Sequence, residues 1–243
     1  MQHGLCGDAA QPAAVFPRDA GVRLAVLECR GHGDSPAGNP QDFSIATFAE
    51  DVAAAIAATS GRPVIAGGIS MGAAIAMRLA CTRPELVKGL VIARPAWTFA
   101  PAPANMTPNL EVGRILARPP QPGAVEEFLA SPTGRRLAAE APDNLASLAG
   151  FFRRAPRAVT ADLLTRISLD GPGVTEAQLA ALDLPTLVIG HEEDVIHPMA
   201  HARALAAVIP GARLVEIPPK ARGLAAYQDA FRVALARFIK ETM

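Results

Sequence analysis

The 243-residue sequence is short of several things, and each shortage removes a class of protein. Cysteine is scarce: Cys6, Cys29 and Cys81 are odd in number, widely spaced and in no CxxC arrangement. Neither a disulfide framework nor a zinc ribbon fits them, and a reducing, cytoplasmic location is expected. Net charge is absent, because 23 basic side chains balance 23 acidic ones. That balance gives no electrostatic reason to expect nucleic acid or an anionic membrane as partner, and a small-molecule substrate suits it better. No apolar run reaches the roughly 18 residues of a spanning helix, and the opening MQHGLCGDAAQP has neither the basic nor the apolar block of a signal peptide. Histidine is sparse as well, with five in the chain and none after position 201.

What is present is hydrophobic: half of the residues are apolar, enough for one large domain or two small ones with a substantial core. Apolar runs of strand length (22–29, 63–69, 87–93, 184–190, 212–218) alternate with helical patterns (45–59, 73–82, 201–209, 224–241). The alternation predicts an α/β fold with a predominantly parallel central sheet flanked by helices. Between residues 98 and 180 the character changes to Pro- and Gly-rich connections around short amphipathic helices. The expected organisation is therefore a core of residues 1–97 and 181–243 with a cap or lid inserted at 98–180.

The most informative stretch is PVIAGGISMGAAIAMRLA, residues 63–80, where a strand-like run stops at Gly68-Ile69-Ser70-Met71-Gly72 and a helical one begins. A strand that turns sharply into a helix while exposing one side chain at the apex brings backbone against backbone, and glycines at both flanks supply the room. The turn also aims Ser70 at a helix N-terminus, whose free N–H groups can stabilise an oxyanion.

With these residues in view the chain resembles the alpha/beta-hydrolase superfamily over nearly its whole length. The likeness runs through His3-Gly4-Leu5, Glu28-Cys29-Arg30-Gly31-His32-Gly33-Asp34-Ser35 with Glu in place of the family's Asp, the GISMG elbow, and the late PTLVIGHEEDVIHP. The resemblance implies Ser70 as nucleophile, Asp194 as the acid of the triad, and the backbone N–H groups of Leu5 and Met71 as oxyanion hole. It also implies a serine hydrolase of a small carboxylic ester or related acyl compound, working without metal or organic cofactor, with the 98–180 insertion as its lid.

Two departures qualify the likeness. The family's base follows the last strand, yet PKARGLAAYQDAF holds no histidine. Tyr227 stands near that place, but a phenol of pKa about 10 is a poor base at neutral pH. His197, three residues after Asp194 and just before Pro198, is the candidate for a relocated base. His3 is assigned to the oxyanion segment and His191 to a structural role at a strand end. His197 and His201 also have the i, i+4 spacing of a metal pair, although no HExxH pattern accompanies them. The second departure is that only Met1 and Gln2 precede His3-Gly4, so the family's N-terminal strands are expected to be missing. Exposed sheet edges would then favour pairing as a homodimer. The competing reading is a non-catalytic small-molecule-binding protein on the same fold. In both, Arg30 and His32 are expected to brace loops, and Trp97, Phe99, Phe128, Phe151 and Phe152 to pack the cap.

Overall fold

Neighbouring parallel strands need a long crossover between them, and the helical segments of this chain supply it. The computed structural model describes residues 1–243. Its sheet has four strands, β1 (Val64–Ile69), β2 (Val87–Ala93), β3 (Thr186–Gly190) and β4 (Arg213–Glu216), in sequential order and all parallel. Helices α1 (Ala10–Val15) and α2 (Ile45–Thr59) precede the sheet, α3 (Met71–Thr82) joins β1 to β2, α10 (Met199–Val208) joins β3 to β4, and α11 (Leu224–Thr242) ends the chain. Between β2 and β3 run α4 (Thr107–Ala117), α5 (Ala124–Ala130), α6 (Pro132–Glu140), α7 (Pro142–Phe151), α8 (Arg157–Leu169) and α9 (Glu176–Ala180). No helix is long and apolar enough to cross a membrane.

Strand residues alternate between the two faces, so a strand covered on both sides reads as an unbroken apolar run. Leu90, Ile92 and Val188 join the larger core with α2 and α3, while Val91, Ala93, Leu187 and Ile189 join the smaller one. Helix α11 closes the smaller core with Tyr227, Phe231, Ala234, Leu235, Phe238 and Ile239, spaced to share one helix face. Helix α2 starts at Ser44, whose hydroxyl accepts the Thr47 N–H, and buries Ile45, Phe48, Ala49, Val52 and Ala53. Helix α3 is buried at nine positions from Met71 to Ala80, because α2 and the sheet enclose it. Its alanines let that packing come close. Between β2 and β3, α4 lies along α8, α5 and α7 pack on α4, and α6 packs on α5 and α7, with Trp97 and Phe128 fully buried in the adjoining core.

One expected strand does not form. Residues 22–29 form no ladder; among their hydrogen bonds are those of the Met1 amino group to the Ala25 carbonyl (2.8 Å), the Cys29 N–H to His3 Nε2 (3.0 Å) and the Ser35 hydroxyl to the Glu28 carbonyl (2.7 Å). A strand is defined by its partner, and the neighbours here are Met1 and a histidine ring rather than a second ladder. On the other side of this segment, Gln2 makes a single parallel bridge to Gly68, its N–H donating to Gly67 (2.7 Å) and its carbonyl accepting from Ile69 (3.1 Å).

Candidate active site

In an open parallel sheet, the loops beyond the carboxyl ends of the strands form the ligand crevice. Ser70 follows β1, Arg94 follows β2, and His191 through His197 follow β3. Five non-glycine residues have positive φ, and four of them, Cys6, Ser70, Arg94 and Glu193, lie in or beside these loops. Such backbone strain persists only where the surroundings enforce it, and it gathers at functional sites.

At the elbow Ser70 has φ 58° and ψ −114°. A Cβ on Gly68 would stand 2.2 Å from the Gly72 carbonyl carbon, and one on Gly72 would stand 2.4 Å from the Gln2 carbonyl oxygen. The two glycines therefore do what the sequence pattern demands of them, and Gly72 in addition admits the His3-Gly4 segment to the elbow. Gly4 comes close to Ser70 itself, where a Cβ would meet the serine Cβ at 3.4 Å. Leu5 follows Gly4 with its N–H in no hydrogen bond, and Met71, the first residue of α3, has no intrahelical acceptor for its own. His3 serves this segment rather than the serine. Its Nδ1 donates to the Gly4 carbonyl (2.8 Å), its Nε2 accepts from Cys29 N–H (3.0 Å), and its ring lies tilted against that of buried His32 with centroids 4.7 Å apart.

The second half of the site is one turn. Asp194 accepts the His197 backbone N–H through Oδ1 at 3.0 Å, which folds residues 194–197 so that the imidazole returns to the carboxylate. His197 Nδ1 is 2.9 Å from both Asp194 oxygens, and Nε2 is 2.8 Å from Ser70 Oγ. A carboxylate only accepts, so it fixes the Nδ1–H tautomer and leaves the Nε2 lone pair facing the hydroxyl. Ser70, His197 and Asp194 are thus joined by an unbroken line of hydrogen bonds, with acid and base three residues apart.

Several residues that sequence reasoning passed over hold this turn. Arg94 donates through Nε and Nη2 to Asp194 Oδ2 at 2.9 and 2.6 Å, and its Nη2 lies 3.2 Å from His197 Nδ1. Asn144, on α7, accepts the N–H groups of Val195 (2.8 Å) and Ile196 (3.1 Å) on one amide oxygen. Asn105 donates to the carbonyls of Ala96 (2.8 Å) and Ile196 (2.7 Å). His191, expected as a structural residue, brings Nε2 to 3.5 Å from Asp194 Oδ2. Arg94 could have been suspected from a charged residue ending an apolar strand; the asparagines carried no local signal.

Burial shapes the electrostatics. It would raise the Asp194 carboxyl, but Arg94 foremost, then His197 and His191, hold it well below the usual carboxylate range. Burial lowers the His197 imidazole; Asp194 works to raise it, and Arg94 and His191 work with the burial. Tyr227 is buried against His191, its hydroxyl pushed up by desolvation, and it takes no part as a base. His201 lies by the backbone of Pro95 and Ala96 while His197 faces Ser70 and Asp194, so the two rings do not converge as a metal pair. Arg30 pairs with Asp51 through two bonds of 2.7 and 2.9 Å, bracing its loop to α2.

A doubly covered parallel sheet, a strained serine elbow and an acid on the loop after a later strand together define an α/β protein built like a hydrolase. The family model for the alpha/beta hydrolase fold matches residues 1–222, and the chain belongs to that family. Among curated relatives, a protein of Klebsiella pneumoniae (strain 342) provisionally named carbamate hydrolase RutD is 28% identical over 222 residues, covering 86% of this chain and 76% of its own. A protein of the same provisional name from Pseudomonas savastanoi pv. phaseolicola is 29% identical over 227 residues, covering 88% and 82%. Among solved structures, a thermophilic esterase from Thermogutta terrifontis superposes with a TM-score of 0.71 at 21% identity, covering 98% of this chain and 88% of its own. At that identity the likeness concerns the fold alone.

Proposed function

We propose that this chain is a serine hydrolase of small carboxylic esters or related acyl compounds, carbamates among them. The observation that carries the reading is the line Ser70 Oγ, His197 Nε2, His197 Nδ1, Asp194, with each link at hydrogen-bonding distance. Ser70 Oγ attacks the acyl carbon while His197 Nε2 takes its proton, and Asp194 stabilises the imidazolium so formed. The N–H groups of Leu5 and Met71 receive the negative charge that develops on the carbonyl oxygen. Collapse of the tetrahedral intermediate expels the alcohol or amine, which takes the proton from His197 and leaves Ser70 acylated. A water, deprotonated by the same imidazole, then frees the acid and restores the serine.

The names of the curated relatives support extending the acyl group to a carbamate. Ser70 is 8% exposed and the His197 side chain 10%, which suits a small substrate and a segment 98–180 that acts as a cap over the serine. The same near-closure favours a second reading, a binding protein that encloses its ligand without turning it over. A fluorophosphonate probe read by mass spectrometry separates the two. Rapid modification of Ser70, lost in Ser70→Ala and His197→Ala, is expected of the hydrolase. A folded chain whose Ser70 stays unmodified sinks that reading in favour of the binding protein.

A further inference from the structure

In a serine triad an aspartate beside the histidine ordinarily does two things at once: it orients the ring, and its charge makes the ring a stronger base. Here the second action is opposed. Arg94 sends both donors of its fork to one oxygen of Asp194, and the pair is buried, with side-chain exposures of 9% and 1%. A guanidinium keeps its proton in proteins, so the carboxylate is matched by a permanent positive charge in contact with it. The same Nη2 is 3.2 Å from His197 Nδ1. In the Nδ1–H tautomer neither nitrogen can accept from the other, so this contact sets positive charge beside the ring without a bond in return.

We propose that Arg94 is a positioning residue for the relay: it locks Asp194 in the rotamer that meets His197 and offsets part of its charge, so that the acid aligns the base while drawing a proton to it less strongly. The inference deepens the reading of Ser70, His197 and Asp194 as one hydrolytic site. Its value lies in the unusual placement of acid and base in one turn. The carboxylate already accepts the backbone N–H and the ring N–H of His197, and without a third anchor the three could rotate together. Arg94 comes from a different strand end and is itself fixed, its N–H donating to the Ile189 carbonyl at 2.7 Å and its Cζ lying 6.0 Å from the centroid of the Tyr227 ring. The other titratable groups that bear on the relay are few. His191 lies on the same loop, Tyr227 on α11, and Asp143 on α7 is engaged by Lys220 at 3.0 Å. Burial of the His197 ring, together with the charge of Arg94, agrees with a base that is neutral below the ordinary histidine range.

The test is a titration of the His197 imidazole by 15N and 13C NMR, on the intact chain and on Arg94→Met, Arg94→Gln and Arg94→Lys, with near-UV circular dichroism as the check on folding. In the wild type His197 should titrate below the ordinary histidine value of 6.5 and hold its proton on Nδ1 when neutral. Both neutral variants should raise the midpoint by roughly one pH unit or more, the size expected when a contacting charge is removed. Arg94→Lys keeps the charge but loses the fork, so its midpoint should stay low while probe labelling of Ser70 slows. A merely structural Arg94 would leave the midpoint of every folded variant where the wild type has it, and that result overturns the proposal. So does a wild-type midpoint at or above 7, which needs no variant at all. Because the titration does not depend on turnover, an unlabelled Ser70 with these shifts intact would sink the hydrolase and spare the role of Arg94.

Discussion

Two turns meet at the site, and different forces hold them. The elbow at Gly68–Gly72 is shaped by exclusion: no side chain larger than hydrogen fits at its flanks, where the backbone of Gly72 stands against Gly68 and that of Gln2 and His3 against Gly72. The loop from His191 to Pro198 is shaped by attraction, through Arg94, Asn105 and Asn144, which lie about 50 to 100 residues away in the chain. Steric constraints of the first kind are short-ranged and steep, whereas polar clamps of the second kind can be removed singly and restored. The comparison implies that the elbow should tolerate almost no change, and that the loop should fail by degrees.

The steric half can be broken outright. In Gly68→Ala the new methyl group would fall 2.2 Å from backbone that cannot give way, so the elbow or the His3-Gly4 segment must move. A loss of about 3 kcal/mol or more is expected in urea denaturation, with no labelling of Ser70 by the phosphonate probe. A stable and fully labelled variant would mean that the elbow is not sterically specified. His197→Ala should cost less in stability but lower the labelling rate by about a thousandfold or more, since the serine loses the acceptor of its proton. Labelling retained in that variant would move the base elsewhere.

The polar half should yield more gently. Asn144→Ala leaves two largely buried backbone N–H groups, of Val195 and Ile196, without an acceptor, which costs about 1 to 3 kcal/mol for each that water cannot reach. Opening of the loop then competes with catalysis, and labelling should slow by about ten- to a hundredfold while the melting of the sheet changes little. Asn144→Asp, which keeps an acceptor oxygen in place, should recover part of the rate. Equal loss in the two variants would argue that Asn144 acts by packing alone.

How much of this could be read beforehand follows the same division. The elbow was legible because its specification is local: Gly, Ser and Gly at fixed spacing between a strand and a helix. Strands β1 to β4 were legible because burial on both faces leaves nearly continuous apolar runs. Asp194 comes from the resemblance of PTLVIGHEEDVIHP to the family's acid-bearing loop, and His197 from its place three residues further on, in a chain with no histidine after the last strand. Residues 22–29 read as a strand and form none because an apolar run states a preference, while the ladder requires a partner that sequence does not display. Arg94, Asn105 and Asn144 escape sequence reading for a related reason: each acts on a backbone or carboxylate group brought near by folding, and only Arg94, a charge at the end of an apolar strand, carries any local hint of it.

The finest test of the comparison uses acid, because only one of the two turns can titrate. From Ile69 to Ala73 the elbow has no ionisable side chain, whereas the loop holds His191 and His197, both lowered by burial first and then by the charge of Arg94, the latter against the pull of Asp194. Once the loop opens, its histidines bind protons at their ordinary 6.5; as pH falls through that value the opened form gains protons that the closed form still refuses. Each such histidine weakens the closed loop by at most about 1.4 kcal/mol for every pH unit, until its own folded pKa is reached. Asp194 has the opposite sign. Its carboxyl is held below 3.8, so its contribution to closure is complete above that value and does not fade in the window of interest. Between pH 6.5 and 4.5, then, exchange protection of the Val195, Ile196 and His197 amides should fall relative to that of Ile69 and Ser70, after correction for the intrinsic rate, by up to tenfold per pH unit for one histidine. The loop amides rest on Asn144 and Asp194, and the elbow amides on Gln2 and Ala93, so the two sets report on separate anchors. Parallel decline of both would show that the turns open as one unit, with the hydrogen bond from Ser70 to His197 strong enough to tie the steric half to the polar half.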